Sequence, residues 1–171
     1  MWRWTGQDRP PFAELPQPGQ ESVWDYPRPP RLVPDAREII VRVDGQEIAR
    51  TTRALRLLET ASPPGFYLPF SDVVEDAFQP VAGSSLCEWK GVARYWTIVV
   101  GATRLERASW SYDVPRAPYA ALRDHVALYP TIAECFVDGE RVRPQGGTFY
   151  GGWVTNELAG PWKGAPGTGG W

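Results

Sequence analysis

The sequence is poor in the residues that build metal and redox sites. One histidine and two cysteines occur in 171 residues. Cys87, Cys135 and His125 are scattered and include no C-x-x-C pair, so neither a metal nor another cofactor is expected. They read as two buried reduced cysteines and a surface or capping histidine. A Cys87–Cys135 disulfide stays open, although a cytoplasm disfavours it. Neither charge sign dominates: 18 basic residues face 20 acidic ones. Nucleic-acid binding driven by backbone phosphates is therefore not expected. No apolar run approaches the roughly 20 residues of a membrane span. The opening MWRWTGQDRPPF has no apolar signal-peptide core, so a cytoplasmic protein without membrane partners is the expectation. Phosphate-loop, dinucleotide and G-x-S-x-G patterns are missing in their required contexts, and a single histidine disfavours a Ser-His triad.

Lysine is scarce too. Lys90 and Lys163 stand against sixteen arginines, an imbalance that mostly reflects coding bias. By contrast there are nine Trp, 18 Pro and 17 Gly. So much proline and glycine argues against long helices. Hydrophobic content of 43% over this length can bury a real core in one domain.

The composition divides the chain into three. Residues 1–34 form a Pro-rich arm, whose Trp24 and Tyr26 gain from docking on the body. Residues 35–145 form the body. Residues 146–171 hold nine glycines with Trp153, Trp162 and Trp171, and read as an ordered tail packed on the body. Within the body, residues 38–43 and 46–50 read as strands around an Asp44-Gly45 hairpin turn. Residues 53–59, 92–100, 108–112, 126–129 and 135–137 also read as strands. Residues 71–78, with acids in the first turn, read as a short helix ended by Pro80. A second short helix follows Pro118, over 119–124.

Chemistry concentrates where polar side chains fall among apolar ones. Glu59 follows Leu57-Leu58, Lys90 follows Trp89, and Arg53 sits between Thr52 and Ala54. Tyr67, Tyr95 and Tyr112 lie in or beside strands. A buried carboxylate must be paired or neutralised. One reading is a structural Arg53–Glu59 or Lys90–Glu59 pair. The other is a pocket in which Glu59 is the acid or base and Arg53 and Lys90 hold an anion. Asp72 fits a first helical turn as well as a site. Trp110 and Trp89 are candidate ligand platforms. Gly160-Pro161-Trp162-Lys163-Gly164 has some character of a phosphate loop but no strand–loop–helix context.

Thr52–Thr60, Pro63–Pro69, Asp72-Val73, Cys87–Tyr95 and Trp110–Tyr112, in that order, resemble the bacterial domain-of-unknown-function 427 family. Glu21–Pro30, Phe149–Trp153 and Gly160–Gly164 resemble its actinobacterial single-domain branch. The resemblance implies a mainly β fold: a β-tent of two small antiparallel sheets, similar to Mss4-like domains but without their cysteine knuckles. It also implies that several of Arg53, Glu59, Tyr67, Asp72, Lys90, Tyr95, Trp110 and Tyr112 line a cleft between the sheets. The family also carries a nucleotidyltransferase-like label.

Three functions follow as expectations. The first is a metal-free, aromatic-walled cleft for a small polar or anionic metabolite. Catalytic candidates there are Glu59, Tyr67 and Lys90, and ligand-binding candidates are Arg53, Asp72, Tyr95, Trp110 and Tyr112. The second is a scaffold module that uses exposed Trp24, Trp153 and Trp171 to engage a partner or form a homodimer. The third is nucleotidyl transfer, which needs adjacent carboxylates for magnesium.

Overall fold

The computed structural model describes residues 2–171. Eleven strands build the body: β1 (Arg31–Asp35), β2 (Ile39–Val43), β3 (Gln46–Thr51), β4 (Ala54–Leu58), β5 (Gly65–Pro69), β6 (Phe78–Cys87), β7 (Gly91–Val100), β8 (Thr103–Ser111), β9 (His125–Leu128), β10 (Glu134–Val137) and β11 (Glu140–Arg141). They form two antiparallel sheets. The larger has seven strands in the order β1-β4-β5-β9-β8-β7-β6, and the smaller has four in the order β11-β10-β2-β3. Mainly β architecture is thus as expected, although the larger sheet is not small.

Local chemistry explains the hairpins. Asp44-Gly45 has φ of 50° and 73°, and Asp138-Gly139 has 45° and 81°. Both pairs are two-residue turns between Val43↔Gln46 and Val137↔Glu140. Positive φ at both central positions matches the twist of the flanking strands, and Asp-Gly is the pair that tolerates it. The space between the sheets is filled by Ile39, Val41 and Cys135 from the smaller and Phe66, Leu68, Ile98, Val126 and Leu128 from the larger. All are apolar, which excludes water and stabilises the stack roughly in proportion to area.

The two expected helices are not α-helices. Residues 71–78 make two single 3-10 turns, Phe70–Asp72 and Glu75–Ala77. Ala117–Leu122 is a kinked 3-10 segment. Helices this short rarely recover the cost of nucleation, and Val73 instead bridges to Ala49. Pro80 lies inside β6, the outermost strand of its sheet. An edge position tolerates its missing N–H.

Arm and tail clasp each other and the body. Residues 31–34 of the arm belong to β1, which pairs with β4. Glu21–Ser22 pairs in parallel with Leu158–Ala159, and Arg143–Pro144 pairs with Trp153–Val154. Trp24 and Trp153 are fully buried. Trp171 packs on Phe12 and Trp24. Cys87 and Cys135 are both free, but only Cys135 is buried as expected; Cys87 is half-buried near the margin of the larger sheet. Cys135 lies between the sheets, while Cys87 packs in the separate cluster on the outer face of the larger sheet, so the open disulfide alternative falls. Among the described residues, no helix is long and apolar enough to cross a membrane.

Candidate functional site

Strand register sets the wall of the site. Tyr67 pairs with Leu55, Trp110 with Ala127, and Tyr95 with Trp110. Directly opposed residues point to the same face of a sheet. Because side chains alternate, Tyr67 faces away from its neighbours Phe66 and Leu68, which fill the space between the sheets. The aromatic row therefore lies on the outer face of the larger sheet, not in a cleft between the sheets. It packs there with Leu57, Ala93, Tyr119, Leu122 and Trp89. Ring centroids are 6.4 Å apart for Tyr67–Tyr112, 6.3 Å for Tyr67–Trp110 and 4.4 Å for Trp110–Tyr129. At the far end the Tyr95 hydroxyl bonds Ser85 at 2.7 Å, and the Arg107 guanidinium lies 4.0 Å from the Tyr95 ring. Burial, then the neighbouring Tyr95 and Tyr67, pushes the Tyr129 phenol up to about 12.

At the Tyr112 end the row meets charge. Lys90 lies in the turn between β6 and β7, with its Nζ 5.6 Å from the Tyr112 ring centroid. Burial works against its charge, but Tyr67, Cys87 and Glu59 around it outweigh burial and hold its pKa above the ordinary value. Tyr112 is pushed strongly up, first by burial and then by Tyr67 and Cys87. At neutral pH the ammonium is thus charged and the Tyr112 phenol is intact.

Glu59 anchors this end from the loop after β4. Its carboxylate lies 3.3 Å from Arg28 Nη2, and the Arg28 side chain is 1% exposed. Arg28 also donates to the carbonyls of Thr60 at 2.8 Å and of Trp4 and Trp171 at 3.2 Å each. Lys163 arrives from the tail, held by its amide on the Ala61 carbonyl at 2.9 Å. The residue is only 4% exposed. Burial and then the like charge of Arg28 lower its pKa, against a weaker pull from Glu59 and Glu88. Among the described residues neither ammonium lies within 4.0 Å of a carboxylate: Lys90 Nζ sits over the Tyr112 ring with the Cys87 sulfur as its hydrogen-bonding neighbour, and Lys163 Nζ sits over the Trp2 ring. Arg28 Nε and Trp89 Nε1 are buried without an acceptor.

The structure divides the expected residues into three groups. Glu59, Lys90, Tyr67 and Tyr112 come together. Trp110 and Tyr95 extend the wall. Arg53 and Asp72 lie elsewhere: Arg53 precedes β4 and Glu59 follows it, about 20 Å away along an extended strand. Arg53 Nε donates to Asp72 at 3.2 Å, and the Thr51 hydroxyl donates to the same carboxylate at 2.6 Å. These bonds from Arg53 and Thr51 hold Asp72 below the usual carboxylate range. Neither pairing expected for Glu59 is present, because Arg28 takes its place. Arg28, Lys163, Glu88 and Trp2 were not read as site residues. The scarcity of lysine was a signal for Lys163, but Arg28 looks like any arginine of a Pro-rich arm.

The domain-of-unknown-function family DUF427 matches residues 31–143, from β1 to just past β11. The chain belongs to this family. Comparison with curated proteins gives no match. Tyr67, Lys90, Tyr112 and Glu59 lie inside the DUF427 span, whereas Arg28, Lys163 and Trp2 lie outside it. Among the described residues, no three of His, Cys, Asp and Glu are grouped as metal ligands would be. Trp24 and Trp153, whose exposure the scaffold reading requires, are sealed inside the chain's own fold.

Proposed function

We propose that this domain binds a small, acceptor-rich anion at the Tyr112 end of the aromatic wall, without a metal. One observation carries the reading: the site is rich in donors and poor in acceptors. Lys90, Lys163 and Arg28 all feel Glu59, which Arg28 already engages, and Glu88 pulls more weakly on Arg28 and Lys163, while Arg28 Nε and Trp89 Nε1 are buried without an acceptor. Burying unspent positive charge is costly. A carboxylate or phosphate supplies the missing acceptors through charge-assisted bonds. Lys90 and the intact Tyr112 phenol act as donors at neutral pH. In any turnover Glu59 is the group able to accept a proton from the bound molecule, with Tyr67 beside Lys90 as its partner. Nucleotidyl transfer and a scaffold role lack a comparable observation in their favour.

Calorimetric titration with inorganic phosphate, acetate, sugar phosphates and small dicarboxylates tests the proposal. At least one class binds, and Lys90→Ala weakens it about 10–100-fold, the usual worth of a charged hydrogen bond. Lys90→Arg retains part of the affinity. A silent panel, or binding indifferent to Lys90→Ala in a protein of unchanged melting temperature, overturns it.

A further inference from the structure

We infer that the ligand is a planar aromatic anion, and that the indole of Trp2 occupies the place of its ring in the free protein. The inference rests on the anion-binding function proposed for the same site. Trp2 is half-buried beside the two most deeply covered cations. Arg28 Cζ lies 4.1 Å from its ring centroid and Lys163 Nζ lies 4.2 Å from it. An aromatic face attracts cations through its quadrupole. It brings no negative charge, so Lys163, 4% exposed and among the described residues without a carboxylate within 4.0 Å, is balanced only by the weaker pull of Glu59 and Glu88. A ring of similar size carrying a carboxylate or phosphate keeps the stacking and adds the missing charge.

The segment that carries Trp2 is tied down at Trp4, whose ring packs edge-on against Trp24 at 6.2 Å, and Trp2 lies beyond that anchor. Residues 2–8 contribute no strand. Their hydrogen bond to the body is the one that the Trp4 carbonyl accepts from Arg28, at 3.2 Å. Firmer ties begin later, where Arg9 bonds Asp25 and the Glu14 amide donates to the Gly160 carbonyl at 2.8 Å. A ligand can therefore displace the indole without opening the clasp between arm and tail.

The test uses the full chain and three probes: 2-naphthoate, cyclohexanecarboxylate of equal charge, and neutral 2-naphthalenemethanol. Naphthoate binds about tenfold or more tighter than either of the others, because it alone offers both ring and charge. Trp2→Ala binds naphthoate several-fold tighter still, since no indole has to leave. Lys163→Met removes the preference. In protein labelled with 5-fluorotryptophan, the fluorine resonance missing from Trp2→Phe belongs to Trp2, and it shifts as naphthoate saturates the site. This readout decides the matter even if Lys163→Met fails to fold. Equal binding of the two acids, weaker binding in Trp2→Ala, or a stationary Trp2 resonance at saturation overturns the inference. If phosphate or acetate still binds through Lys90 while naphthoate gains nothing, only the aromatic preference falls. If no anion binds at all, the underlying function falls with it.

Discussion

Buried charges in this chain divide into those with partners and those without. Asp35 belongs to the first kind. Burial pushes its carboxyl up, but hydrogen bonds and charge from Arg37, then the charge of Arg56, more than reverse this and hold it below the ordinary value. Arg37 also reaches Glu157 at 2.7 Å, and Arg56 pairs with Glu21, so the network ties arm, body and tail together. A carboxyl lowered in the folded state stabilises above its unfolded pKa, near 3.9, and that contribution disappears as pH falls through the folded value. Asp35→Asn should therefore cost about 2 kcal/mol at pH 7. Its deficit relative to the native chain should narrow as pH falls from the unfolded value through the lower folded one. Urea unfolding at pH 7 and pH 3 measures both, and an equal deficit at the two pH values refutes an ionic origin. Among the described residues Lys163 has no ion pair, and the pull of Glu59 and Glu88 on it is weaker than burial and the like charge of Arg28. A lysine lowered in the folded state opposes folding while it is charged, and stability rises as pH climbs from its folded toward its unfolded pKa. Lys163→Met is therefore expected to stabilise the ligand-free protein, by about 1 kcal/mol or roughly 3 °C in melting temperature. The same change weakens anion binding, which separates a functional lysine from a structural one.

At the scale of elements, the glycine-rich tail works as a series of aromatic anchors joined by backbone that passes close to the body. A Cβ at Gly151 would meet the Trp110 ring at 2.3 Å, and one at Gly152 would meet Gln145 Oε1 at 2.4 Å. Trp153 stacks on Phe66 at 4.8 Å and donates its indole N–H to the Leu128 carbonyl at 3.1 Å. Trp153→Ala should cost about 3–5 kcal/mol through the cavity and the orphaned carbonyl. Phe149→Ala, at a residue 79% exposed, should cost no more than about 0.5 kcal/mol. Thermal melts of the two variants give the comparison, and equal costs would mean that the tail is not anchored as described. Most strands, the Asp-Gly turns and a docked Trp-rich tail were legible from period and composition. Strand β6 was not. Its Pro80 reads as a helix stop, and only its place at the sheet edge makes that proline acceptable.

Across the whole molecule, the arrangement of the sheets sets where protection and exposure fall. Strands β5 and β9 lie in the middle of the seven-stranded sheet, while β6 pairs on one side alone. Native-state hydrogen exchange should find the slowest amides at Leu68, Val126 and Leu128, and fast exchange along the free edge of β6. Slow exchange along that edge in dilute protein would show that it is covered by something not present in the isolated chain. On the inner face of that margin, beyond the cover of the smaller sheet, Leu86 and Val92 are 71% and 57% exposed and oppose each other across β6 and β7.

The sequence alone determined what depends on neighbours in the chain. Alternating apolar residues wrote the strands, Asp-Gly wrote the turns, and the run from Thr52 to Tyr112 pointed to the family. It also singled out Glu59, Lys90, Tyr67 and Tyr112 as polar groups among apolar ones, because that contrast is itself local. Tertiary structure decided what depends on which face and which distance. Pleat parity put the aromatic row outside the stack of sheets rather than within it. The length of β4 separated Arg53 and Asp72 from Glu59. Arg28 and Lys163, 135 positions apart in the sequence, meet because arm and tail close over the same end of the larger sheet. No period or motif in either segment encodes that meeting, since the contacts that enforce it are made only when the whole chain has folded.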